Sequence, residues 1–202
     1  NDALYYRDEI RDMFKHGKIK LRDLAVTEKI FWNIISRIAD EKKKLKKAPP
    51  ELEDLESVLA DIYYCNFSVF QSIPDSWAID QLFPIMPLHR LLERPRRNAI
   101  IADITCDCDG KIDRFIDLHD VKNTLPLHDM KNEDDYYLGV FLVGAYQETL
   151  GDLHNLFGDT NIVSVRISRD GNFDFHKEIH GDSVADVLTY VEFDPKQMIV
   201  SF

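Results

Sequence analysis

Apolar residues recur at helical spacing in the first third of the chain and at strand-like spacing in the remainder. From Thr27, read as a cap, Ile30, Phe31, Ile34, Ile35 and Ile38 follow the period of a helix. That helix is expected to end in Lys42, Lys43, Lys44, Lys46 and Lys47, whose charge complements the negative end of its dipole. After Ala48-Pro49-Pro50 a second helix is predicted, with Glu51, Glu53 and Asp54 in its first turn and Leu52, Leu55, Leu59 and Ile62 on one face. The two form a helical hairpin joined by the prolines, and its apolar stripe is read as core.

From Asn66 onward β-branched and aromatic residues become dense and Pro and Gly punctuate the runs, so strands dominate. Ala99 to Thr105 is apolar until Cys106-Asp107-Cys108-Asp109-Gly110, and Lys111 to Ile116 resumes the run; Asp109-Gly110 is therefore a hairpin turn. Leu138 to Tyr146 reads as a central strand. Val163, Val165 and Ile167 alternate up to Arg169-Asp170-Gly171, and Phe173 and Phe175 alternate back, a hairpin with one wet face. Ser183 with Asp186 caps a short helix through Tyr190. The expected fold is α+β: a helical domain over residues 1–65, then a mostly antiparallel sheet, barrel or sandwich, over 66–202. The lysine run and Asn132 to Asp135 are the expected flexible segments.

A formal charge of −11 argues against a nucleic-acid partner, because such affinity is built from Lys and Arg on phosphate. The lysine cluster is read as a solvated helix end. Cys65, Cys106 and Cys108 are an odd set, with Cys106 and Cys108 too close for an ordinary disulfide, which fits a reducing, cytoplasmic compartment. No metal site is expected from these thiols, nor from His176 and His180. No apolar run is long enough for a membrane span, and no export signal opens the chain. The first residue, in mid-pattern and not a methionine, is read as a domain boundary.

Four stretches carry candidate chemistry. Thr105 to Gly110 puts a thiol and two carboxylates where a strand ends, and a thiol among acids is suited to giving a proton rather than attacking as a nucleophile. Val143-Gly144-Ala145-Tyr146-Gln147 offers small residues for close approach, then a phenol that can donate to a phosphate oxygen or stack on a ring. His154-Asn155-Leu156-Phe157-Gly158-Asp159 is a polar and aromatic loop suited to a pocket wall. Asn66 to Pro84 places Asp75 and Asp80 on either side of Trp77, and acids beside an aromatic plane suit a guanidinium or ammonium. Each alone is as readily a turn, a core tyrosine or a connector.

Taken together and in order, NFSVFQSIPDSWAIDQLFPIMPLHRL, DITCDCDGKID and YLGVFLVGAYQETLGDLHNLFGDTN resemble bacterial biosynthetic arginine decarboxylases, most densely from Asn66 to Asn161. The resemblance implies a pyridoxal-phosphate enzyme of the alanine-racemase fold that turns L-arginine into agmatine and carbon dioxide for putrescine and spermidine synthesis. In such enzymes a TIM barrel precedes a β-barrel, with a helical insertion between them in this branch. The present chain is then the insertion plus most of the β-barrel, and a further helical piece follows Phe202. Cys106 corresponds to a cysteine that enters the neighbouring subunit's site and helps return a proton to the substrate carbon. Asp107 corresponds to an acid facing the distal end of the substrate side chain, and Asp75 and Asp80 are assigned to its guanidinium. Tyr146 corresponds to a tyrosine touching the cofactor phosphate, with Asn155 and Phe157 along the nearby wall. Cys108 departs from the pattern, where serine is expected. The cofactor lysine, the glycine-rich phosphate loop, the acid at the pyridine nitrogen and the ring-stacking histidine belong to the barrel half. The chain alone is therefore expected to be inert, since no electron sink is held covalently. Shared sites imply a homodimer or larger assembly, and magnesium is allowed by the resemblance. Two competing readings remain: a stand-alone β-rich binding or interaction module, and a decarboxylase of the same fold acting on another amino acid.

Overall fold

The computed structural model describes residues 2–42, 44–45, 49, 52, 55–118, 120–130 and 135–201. Expectations placed on Lys43, Lys46, Lys47, Ala48, Pro50, Glu51, Glu53, Asp54 and the 132–134 stretch lie outside the described residues. By its contacts the chain divides into two compact units, Asn1–Asp61 and Ile62–Phe202.

The first unit is helical. Helices α1 (Asp2–Lys15) and α2 (Leu21–Lys42) precede a short α3 (Leu55–Val58). Phe31, Ile35 and Leu55 are buried together, with Ala3, Ile38, Ala39, Leu52 and Leu59 packed on them. Arg7 lays its guanidinium 4.4 Å from the Phe31 ring centroid, closing the cluster with a cation over an aromatic face. The expected start at Thr27 is wrong by about two turns. Helix α2 begins where the Lys20 N–H donates to Asp23 Oδ2 at 3.1 Å, and Thr27, inside the helix, satisfies its hydroxyl on the Asp23 carbonyl at 3.0 Å. A hydroxyl that back-bonds one turn earlier looks like a cap in sequence and is not one. Ile62, expected on the second helix, instead lies in strand β1 (Asp61–Tyr64).

In the second unit, α4 (Val69–Ser72) and α5 (Pro74–Ala78) follow β1, and then come β2 (Ile85–Pro87) and β3 (Arg97–Ala102). Short strands β4 (Lys111–Ile112), β5 (Phe115–Ile116), β6 (Val121–Lys122), β7 (Leu125–Leu127) and β8 (Leu138–Val140) lead to α6 (Tyr146–Leu150). A 3-10 turn at His154–Leu156, the hairpin β9 (Ile162–Ile167) and β10 (Phe173–Ile179), α7 (Val184–Tyr190) and α8 (Pro195–Val200) complete it. The sheet β1-β3-β4, with β7 also on β3, is joined by the pairs β2-β8, β5-β6 and β9-β10. Val69, Ile73, Phe83, Ile101, Ile112 and Phe115 form the core.

The α+β class and the antiparallel pairings hold, but among the described residues the strands lie in four separate sheets rather than one closed barrel. Two-residue strands such as β4 to β6 cannot carry a continuous ladder. The expected central strand over Leu138 to Tyr146 stops at Val140: Leu142 at φ +58° and Gly144 at φ +79° turn the chain out of β geometry before α6. The hairpin expected at Asp109-Gly110 is present, with Ile101 opposite Ile112 and Ala102 opposite Lys111, but its connection runs over residues 103–110 and the pair only closes it. The Ser183 cap is present too, and its side chain exchanges hydrogen bonds with Asp186 in a capping box.

Candidate functional site

The site is organised by a buried carboxylate. Where β3 ends, the Asp103 N–H donates to the Gly110 carbonyl at 2.8 Å and closes the neck of the loop that carries Cys106 to Asp109. Asp103 itself is only 3% exposed. One carboxylate oxygen accepts from the Val69 N–H at 2.9 Å, and the other accepts the Thr105 N–H at 2.9 Å and the Thr105 hydroxyl at 2.8 Å. These bonds tie the stalk of the loop to the start of α4, and they supply the partners a buried charge requires. Gly110 is obligatory at the neck, since a Cβ there would lie 2.2 Å from Asp103 Oδ1. Above the neck, Asp107 caps the turn by accepting the Asp109 N–H at 2.9 Å.

Held on that stalk, Cys106 meets Asn155 from the 3-10 turn. The Asn155 Oδ1 accepts the Cys106 N–H at 3.3 Å, and Nδ2 donates to Sγ at 3.2 Å. Asn155 makes this two-point contact from a left-handed backbone, φ +57°, which asparagine adopts more readily than most residues. A non-glycine residue held in that region is a common feature of functional sites.

Beside the pair lies a cavity of about 400 Å³, with the carboxylates of Asp75, Asp107 and Asp152 around it and Phe70, Trp77 and His154 as aromatic wall. Trp77 stands edge-on to Phe70, ring centroids 5.2 Å apart, and Phe70 tilts against His154 at 4.5 Å. The Trp77 indole N–H reaches Asp109 Oδ2 at 3.5 Å, linking α5 to the loop. His154 Nε2 is buried and, among the described residues, has no hydrogen-bond partner. Acids opposite aromatic rings make this a place for a cation with a flat or apolar stem. The Asp75 carboxylate accepts from Gln147 Nε2 at 2.6 Å.

The sequence-derived residues are thus partly gathered. Asp75 and Asp107 share the cavity, and Cys106 and Asn155 are bonded next to it. Asp80 is elsewhere: at φ +56° after α5 it pairs with Arg114 at 3.3 Å, by a small separate pocket containing Lys111 and Asp113. A positive partner already answers its charge there. Tyr146 opens α6 with its side chain 78% exposed, and its hydroxyl makes no hydrogen bond among the described residues. Phe157 follows the 3-10 turn half-buried, its N–H on the His154 carbonyl. Neither lines the cavity. Asp103, Gln147 and His154 were missed as site residues. Nothing in the local sequence distinguishes a buried aspartate or glutamine from an exposed one. Only the flanking apolar run before Asp103 hinted at it.

Asp107, Cys108 and Asp109 bring ligand atoms within 4.8 Å of one another. No described helix is long and apolar enough to cross a membrane.

Residues 1–56 match the family model of the arginine decarboxylase helical bundle domain. Over 98% of its length the chain is 52% identical to the biosynthetic arginine decarboxylase of Phocaeicola vulgatus, covering 31% of that protein. It is 51% identical to that of Gloeobacter violaceus over 205 residues, covering 32%. The crystal structure of the biosynthetic arginine decarboxylase from Campylobacter jejuni superimposes on 99% of the chain with a TM-score of 0.78 and 35% identity, the chain covering 31% of it. The chain therefore spans about a third of the length of these relatives.

Proposed function

We propose, for a chain homologous along its whole length to a third of a biosynthetic arginine decarboxylase, that it is the C-terminal part of an enzyme converting L-arginine to agmatine and carbon dioxide in polyamine synthesis. The observation that carries this reading is that Asp75 and Asp107 line one acid-and-aromatic cavity, while Cys106 and Asn155, the chain neighbours of its lining residues Asp107 and His154, are hydrogen-bonded to each other. In that cavity, Asp75 and Asp107 hold the guanidinium of arginine beside the Trp77 and Phe70 rings. Cys106, fixed by Asn155, gives a proton to the substrate carbon once carbon dioxide has left.

Pyridoxal phosphate, when bound, supplies the electron sink that decarboxylation needs. The residues here fit its outer face. Tyr146 presents a hydroxyl without a partner among the described residues, and Gly144 has open space where a Cβ would stand, so a phosphate can approach the backbone. The cofactor lysine belongs to the remaining two-thirds of the enzyme, so this chain alone is inert. Magnesium does not fit the Asp107, Cys108 and Asp109 group, because a soft thiol is a poor ligand for a hard ion that demands octahedral oxygen. The exposed Cys106 and the cavity together serve the active site of a second subunit in a homodimer or larger assembly.

Replacing Cys106 by Ala in the intact enzyme is expected to lower turnover by roughly 100-fold or more, the contribution of a positioned proton donor, measured as arginine-dependent carbon dioxide release. Undiminished turnover to agmatine would remove the role given to the thiol. Combining this chain with the missing portion is expected to restore activity that neither has alone.

A further inference from the structure

We propose that Gln147 is a positioning residue that orients the Asp75 carboxylate and thereby sets the preference of the cavity for a guanidinium over an ammonium; this rests on the reading of the site given above. Gln147 is 4% exposed, and both ends of its side chain are engaged by one residue. Its Oε1 accepts the Asp75 N–H at 3.1 Å, and its Nε2 donates to Asp75 Oδ2 at 2.6 Å. The backbone N–H can only donate, so it settles which end of the amide faces it, and the amino group must face the carboxylate.

An aspartate at a cavity rim otherwise turns freely about its last torsion, which is broad and two-fold. With Oδ2 bound to Gln147, both that torsion and the direction of the other oxygen are set. A carboxylate has about four lone-pair sites, so the remaining ones stay available to a ligand. Orientation matters unequally to the two kinds of cation. A guanidinium carries its donors in a rigid planar fork and needs acceptors in fixed directions, whereas an ammonium rotates to find them.

The helix bearing Gln147 is itself locked. A Cβ on Gly151 would fall 2.3 Å from the Gln71 carbonyl oxygen, and the Asp152 N–H donates to the Phe70 carbonyl at 3.0 Å. The amide therefore transmits the position of α6 to Asp75, across a separation of 72 residues in sequence.

The test is steady-state kinetics of the intact enzyme with arginine and with lysine, for Gln147→Met and Gln147→Glu, at a temperature where both are folded by circular dichroism. Met keeps the length and removes both bonds; Glu keeps an acceptor for the Asp75 N–H and removes the donor to Oδ2. Both are expected to raise the KM for arginine about ten-fold, with kcat within about three-fold, and to lower the arginine-over-lysine ratio of kcat/KM to match. A hook that merely held α5 on α6 would lower the melting temperature and leave that ratio unmoved, and this result in either folded variant overturns the proposal. A fall in kcat with KM unchanged also overturns it. Should the unsubstituted enzyme fail to decarboxylate arginine, the reading of the site fails, and this inference with it.

Discussion

Two hairpins in this molecule are built around an Asp-Gly pair, and they meet opposite fates. At Asp109-Gly110 the neck closes on buried Asp103, and the strands it joins, β3 and β4, place Ile101 and Ile112 in the core. At Asp170-Gly171 the turn is also well made: the Ser168 N–H donates to the Asn172 carbonyl at 2.9 Å, Asn172 Nδ2 bonds Asp170 at 2.7 Å, and Gly171 takes φ +85°. Yet Val163, Val165, Ile167, Phe173, Phe175 and Ile179 remain 42–75% exposed, so no described residue of this chain covers the apolar face of the hairpin. A bulge at His176 shifts the register between Phe175 and Lys177. Turn chemistry makes a hairpin on its own, whereas burial depends on what packs against it.

The sharpest way to break the contrast is Asp103→Ala. It strands the buried Val69 N–H and the half-buried Thr105 donors and should cost about 3 kcal/mol or more, read by urea unfolding; a loss under about 1 kcal/mol would mean the loop does not depend on that carboxylate. Gly151→Ala comes next, since its Cβ must push α6 off the Gln71 carbonyl. A loss of about 1–3 kcal/mol is expected, with faster amide exchange across α4 and α6.

A smaller effect concerns α7. Hydrogen bonds from the Ser183 side chain, then its backbone, hold the Asp186 carboxyl below the ordinary aspartate range. A depressed folded-state value means the cap's contribution is whole above the unfolded aspartate pKa and is lost as pH falls through the folded one. Exchange protection in α7 should therefore fall on acidification below about pH 4, and Asp186→Asn should make it less dependent on pH. Smallest of all, Phe175→Ser on the open hairpin should change stability by no more than about 0.5 kcal/mol while lowering binding of a hydrophobic dye; a large destabilisation would show that the hairpin face is packed after all.

Much of the local architecture is legible in the amino-acid sequence. The Asp109-Gly110 turn, the Ser183 cap and the helical first third follow from short-range chemistry, and the motif-length resemblance pointed to Cys106, Asp107 and Asn155, of which the fold bonds Cys106 to Asn155. Failures fell where a local signal had two meanings. Thr27 resembles a cap but back-bonds to Asp23, and the apolar run from Leu138 resembles a long strand but contains the two left-handed residues Leu142 and Gly144. Asp75 and Asp80, five residues apart, were read as a pair. The turn after α5 sends one to the cavity and the other to Arg114.

From sequence alone came the alternation of helix and strand, the turn positions and the reactive residue types, because these depend on torsions and neighbours only a few bonds away. Tertiary structure alone decided that Asp103 is buried, that Gln147 grips Asp75 and that Asn155 touches Cys106. Each of those contacts joins residues 34 to 72 positions apart. A contact over such a distance exists only after the chain has folded to bring the two segments together, and no local pattern encodes which partners that folding brings together.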